Sequence, residues 1–186
     1  MKKIVSLVVP MLLVFLIFSS ITYAYGVFGG SWSSPGSLKY WKDQSVTSYG
    51  YNSSTDKGLI NWNGVSSKVS ISLTSSESSA QIKVYAGDIN KEGVYADALN
   101  YKRNLLGQVS ACWDCTYAAS RIRINNPVAK NYDNARISAV MAHETGHSLG
   151  INHSAVTTAL MYKTIGSSNE VRIWDDNAAI KNIYGN

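Results

Sequence analysis

The chain has 186 residues, 45% of them hydrophobic, and a formal net charge of +5. That length and apolar content suit one domain with a substantial core. The charge is modest and forms no block of like sign that would suggest a nucleic-acid arm, and no nucleic-acid partner is expected.

Lys2 and Lys3 precede a mostly apolar run over residues 4–18, then Ser19, Ser20 and the small-residue stretch Thr22-Tyr23-Ala24. A charged start, an apolar centre and a cleavage site describe a secretory signal peptide over residues 1–24. The rival reading is an uncleaved anchor, but the run is short for a span of about 20 residues. A secreted, extracellular product is therefore expected, with no stable membrane association after cleavage. Residues 25–36 are rich in Gly and Ser and carry Tyr25, Phe28 and Trp32, which reads as a flexible entry segment. Residues 37–186 then form the main domain.

Residues 38–41 (Leu-Lys-Tyr-Trp) alternate like a short strand. Residues 47–54 are polar and turn-rich. Leu59, Ile60, Trp62 and Val65 recur at near-helical spacing over 55–65, although Gly58 and Gly64 weaken that helix. Trp62 is expected to anchor it to a sheet. Val69, Ile71 and Leu73 alternate with Ser and Thr, and Ile82, Val84 and Ala86 alternate likewise, giving two half-buried strands. Residues 88–107 read as a loop or irregular stretch. Its Asp88, Glu92 and Asp97 offer oxygen ligands for calcium, but they lack the spacing of a calcium loop, and solvated charge explains them better.

Residues 107–111 form a short strand, and residues 120–125, with Ile122 and Ile124 alternating with Arg121 and Arg123, a clearer one. Between them lies Cys112-Trp113-Asp114-Cys115. In an oxidising compartment two such cysteines close a small loop as a disulfide, here as a staple across a hairpin tip. A thiol-based metal or redox role is the alternative. Asn126-Pro127 breaks the strand, and residues 131–134 offer helix caps.

A helix over 135–149 follows, with Ile137, Val140 and Met141 as its apolar pattern. It carries His143-Glu144-Thr145-Gly146-His147-Ser148-Leu149-Gly150-Ile151-Asn152-His153, the string H-E-x-x-H-x-x-G-x-x-H, and the chain has no other histidine. Residues four apart share a helix face, so His143 and His147 aim at one point. Gly150 tolerates the left-handed conformation that ends a helix, and the turn brings His153 back as a third ligand. Three imidazoles leave one tetrahedral position of a zinc ion open, the arrangement of a catalytic site. Glu144 is placed to take a proton from water there. The plain alternative is a helix with two satisfied polar histidines.

With these residues on the page, the chain resembles the metzincin zinc metalloproteases and is most similar to the matrixins. Ala159-Leu160-Met161-Tyr162 matches the Met-turn that such proteins place beneath the zinc, although Met161 also suits ordinary core filling. Residues 175–185, ending in Tyr184-Gly185, resemble the closing helix of a matrixin domain, and Ser154 follows His153 as it commonly does in that family. The resemblance implies a mixed α+β, zincin-like fold: a twisted, mostly parallel five-stranded sheet with an active-site helix, a Met-turn and a C-terminal helix. It implies one catalytic zinc on His143, His147 and His153, Glu144 as general base, and hydrolysis of a peptide or protein substrate; a monomer is expected. It also makes residues 107–111 the cleft edge that pairs with substrate. Residues 162–172 become the pocket wall, with Tyr162 lining it or polarising substrate. No cysteine precedes Cys112, so the family's upstream cysteine latch has no counterpart here, and no further histidines exist for a second, structural zinc.

Two other functions fit the same residues. One is hydrolysis of a cell-wall peptide in place of a protein. The other is a secreted module that uses zinc only to hold its fold.

Overall fold

The computed structural model describes residues 24–165 and 172–186. In chain order the strands and helices are β1 (Gly26–Val27), β2 (Ser31–Trp32), β3 (Leu38–Lys42), α1 (Gln44–Ser48), α2 (Asn52–Ile60), β4 (Ile71–Leu73) and β5 (Ile82–Gly87). Then come β6 (Ala96–Arg103), β7 (Val109–Ala111), β8 (Thr116–Tyr117), β9 (Ala119–Asn125), α3 (Asn126–Ala129), α4 (Asn134–Ser148), β10 (Ile151–Asn152) and α5 (Trp174–Tyr184). The signal-peptide reading falls on residues 1–24, almost entirely outside the described part. Among the described residues no helix is long and apolar enough to cross a membrane.

The fold is mixed α+β, as expected. Its main sheet has six strands in the order β4-β3-β5-β9-β6-β7. The pairs among β4, β3, β5 and β9 are parallel, whereas β6 runs antiparallel to β9 and β7 antiparallel to β6. The additional strand is β6, which lies in the stretch read as irregular. Its buried positions are Ala96 and Asn100, too small or too polar to give an apolar period of two. By contrast β9 buries Ile122 and Ile124 fully while Arg121 and Arg123 stay half-exposed, the alternation its sequence shows.

Helix α4 begins at Asp133, whose carboxylate accepts the Arg136 N–H at 2.8 Å, an ordinary N-cap. It ends where expected, with Gly150 at φ +95°. Helix α2 packs against α4, and Gly58 is the reason it can. A Cβ there would collide with Met141 Cβ and crowd the backbone of Met141 and Ala142. The glycine that weakens α2 in isolation thus permits its closest contact. Trp62 is fully buried, and its indole N–H donates to Ala142 O at 2.8 Å. It anchors α2 to the active helix, not to the sheet, because its one polar atom finds a partner there.

Residues 26–32, within the segment read as a flexible entry, pair with the body of the protein. β1 runs antiparallel to β10 and β2 runs parallel to β8. Trp32 is buried, and its indole N–H donates to Ser148 O at 2.8 Å. The aromatic residues between glycines supply that attachment, which composition alone does not convey.

Candidate metal centre and cleft

Helix α4, the Gly150 turn and β10 bring the three histidines together. One ligand nitrogen from each of His143, His147 and His153 lies within 4.8 Å of the others. The ring centroids are 4.6, 5.3 and 4.9 Å apart. His143 and His147 are buried and His153 is exposed. Nδ1 of His143 sits 2.7 Å from Leu160 O, and Nδ1 of His147 sits 2.8 Å from Ile151 O. A carbonyl only accepts, so each Nδ1 carries the proton and each Nε2 keeps its lone pair for a metal. Burial pushes His143 down to about 4 and His147 well below the usual imidazole range, with His143 adding to the effect on His147. Neutral imidazoles with fixed tautomers are the form a zinc ion requires, so the donor set fits one.

Glu144 is buried on the same face of α4. Burial, and secondarily the charge of Asp97, pushes its carboxyl up to about 8. A cation on the neighbouring imidazoles would pull it back down.

Two residues that support this site escaped the reading of the sequence. Asp176, at the start of α5, is fully buried and accepts from Leu160 N at 3.0 Å and Met161 N at 2.9 Å. Leu160 O in turn holds the His143 ring, so Asp176 positions a candidate ligand through the turn that carries Met161. An acidic pair at a helix start reads as a surface preference for the helix dipole, and nothing in its spacing signals burial. Asn100, on β6, donates its Nδ2 to His147 O at 2.9 Å. Its strand was not recognised, so neither was its role.

Met161, the residue read as a Met-turn, is fully buried and packs against α4 at Gly146. A Cβ on Gly146 would strike its Sδ and approach the Trp62 ring. The glycine inside the histidine motif therefore makes room for the methionine.

A cavity of about 620 Å³ runs along this face of α4. Gly93 to Ala98 form one side of it, and Val140, Thr164 and Ile165 lie towards the start of the helix. Phe28 and Trp113 lie towards its end. The edge strand expected to meet substrate, residues 107–111, is displaced from the cleft. β7 covers only Tyr101 to Arg103 of β6, and the part of β6 that lines the cavity is Ala96 to Ala98. That part pairs with β9 on one side only, so β6 supplies the edge that faces the cavity. Of the pocket-wall stretch 162–172, Lys163, Thr164 and Ile165 line the cavity, Tyr162 forms a bridge to Ser154, and 166–171 lie outside the described residues.

Cys112 and Cys115 are joined as a disulfide. It lies between β7 and β8, beyond the β6–β7 turn, so it does not staple a hairpin tip. The candidate calcium ligands do not assemble. Asp97 instead meets Arg123 and Lys91, the latter at 2.7 Å, and Asp88 accepts from Asn90 N. Among the described residues, the three histidines are the one cluster of such side chains able to hold a metal.

Sheet, helix and histidine cluster together define a zincin-type domain, and comparison with known families narrows it. Residues 42–185 match the matrixin peptidase family, and the chain belongs to it. Over 57 residues it is 44% identical to the interstitial collagenase of Oryctolagus cuniculus. That match covers 30% of this chain and 12% of the collagenase.

Proposed function

We propose that this chain is a secreted zinc endopeptidase that lays a peptide along β6 and hydrolyses one bond beside α4. The observation that supports it most is the pair of Nδ1–carbonyl bonds on His143 and His147, which turn two ring lone pairs towards the open cavity that His153 also lines. His143, His147 and His153 would hold the zinc ion, which supplies Lewis acidity towards water and the scissile carbonyl. Glu144 takes the proton that the attacking water sheds and returns it to the departing amine. The edge of β6 from Ala96 to Ala98 holds the substrate backbone by strand addition. A zinc that only held the fold would call for a fourth protein ligand. No fourth His, Cys, Asp or Glu joins the cluster among the described residues.

Secretion rests on the leader pattern over residues 1–24, with the catalytic domain at 37–186, acting as a monomer. Protein or peptide is the substrate class. Zinc content and casein cleavage by the purified chain, with and without a chelator, test the whole reading. Gelatin and purified cell wall, run beside casein, separate a protein substrate from a wall peptide. One zinc per chain and chelator-sensitive cleavage are expected. Full cleavage in a metal-free preparation overturns the proposal.

A further inference from the structure

The end of the cavity nearest the C-terminus of α4 is built from residues outside the histidine motif. The rings of Phe28 and Trp113 are 4.4 Å apart and tilted by 37°. The Phe28 ring lies 5.6 Å from the His147 ring. Both aromatics are half-buried, and both line the cavity. Apolar ring surface left partly open beside a polar centre gains by being covered, and an apolar ligand group can cover it.

The pair is held in place from several sides. Trp113 O accepts from Gly30 N at 3.0 Å and from the Tyr117 hydroxyl at 2.7 Å. The Cys112–Cys115 disulfide closes the loop that carries Trp113, and Cys112 N donates to Asn100 O at 2.9 Å. Phe28 N donates to Gly150 O at 2.9 Å, next to the pairing of β1 with β10. The conformational freedom lost on binding is therefore small, which favours affinity.

The direction of β6 says which part of a peptide arrives there. Tyr95, just before β6, packs on Tyr132, just before α4, at 4.8 Å. Further along β6, Asn100 bonds His147 O near the other end of α4. β6 and α4 thus run the same way. A peptide added antiparallel to β6 places its residues N-terminal to the scissile bond at Phe28 and Trp113, and its C-terminal residues towards Val140 and Ile165.

We propose that Phe28 and Trp113 form a subsite for an aromatic or large aliphatic side chain, two or three residues before the scissile bond. The proposal rests on the cavity being a peptide-binding cleft. It is tested by equilibrium binding in a Glu144→Gln background, so that no turnover is needed. The probes are fluorescent peptides with one fixed Leu for the Val140 end and a single Phe moved through the four positions before it, the rest Gly and Ala. Phe at the second or third of those positions is expected to tighten binding by about tenfold. Trp113→Ala and Phe28→Ala should each abolish the gain, and Trp113→Phe should keep part of it, which also separates a lost contact from a misfolded loop. A flat response to Phe position, a gain confined to the first or fourth position, or a gain that survives both alanine variants, overturns the subsite. Absence of cleavage by the parent chain, with the gain intact, would remove the endopeptidase reading and leave the subsite standing.

Discussion

The two faces of α4 are built by opposite rules. One face, with Met141, Ala142, Thr145 and Gly146, is dry and packed so tightly against α2, Trp62 and Met161 that neither Gly58 nor Gly146 has room for a methyl group. The other carries His143, Glu144 and His147, polar groups that are buried yet turned towards a cavity. Burying such groups costs stability, and the packed face offsets it. The difference teaches that the two faces should fail differently: one loses chemistry, the other loses the fold.

The largest effect should come from the cavity face. Glu144→Gln is expected to lower kcat by about 10³-fold while zinc content and melting temperature hold or rise. Steady-state kinetics with metal analysis on the same sample checks this, and retained turnover would take Glu144 out of its role. The packing face should answer with stability. Gly58→Ala forces a Cβ into Met141 and should cost about 3 kcal/mol, read as a fall in denaturation midpoint. An unchanged midpoint would mean that α2 and α4 separate more easily than their packing suggests.

Asp176 joins the two faces, since it holds the Met161 turn from behind and the His143 ring through Leu160. Asp176→Asn keeps the size but gives up one acceptor oxygen. It should weaken zinc binding by about 10- to 100-fold, measured by competition with a chromophoric chelator. Wild-type affinity in that variant would show that the turn needs no carboxylate.

How much of this was legible in the sequence follows the same division. The cavity face was readable because ligand spacing is local: His143, His147, Gly150 and His153 sit within one turn and one helix. The parallel strands were readable where Ile and Val alternate, as in β5 and β9. β6 was not, because it buries Ala and Asn against α4, and its place in the sheet is decided by neighbours far away in sequence. Gly58 read as a defect, because helix propensity cannot express the approach of a second helix. Trp113 and Phe28 meet across 85 residues of sequence, and only the folded chain brings them together.

The smallest expected effect, and the one that isolates Glu144, is the pH dependence of the metal-free chain. Its folded value of about 8 lies above the ordinary 4.5, so between those limits the folded state binds a proton that the unfolded state has released. Stability must then fall as pH rises through that window. His143 has the opposite sign. Its folded value of about 4 lies below 6.5, so the unfolded chain binds the extra proton between those values, and stability falls as pH drops. His147 and His153, also lowered, act in the same direction as His143. Above about pH 7.5 the histidine contributions are largely spent, and Glu144 dominates the group. From pH 7.5 to 9 the metal-free chain should therefore lose roughly 0.5–1 kcal/mol, and Glu144→Gln should remove that slope. Zinc should flatten it too, because a cation beside Glu144 lets the carboxylate ionise without leaving its pocket. Denaturation midpoints at three pH values, for both chains with and without zinc, read this directly. A slope that persists in Glu144→Gln assigns the buried proton to another group.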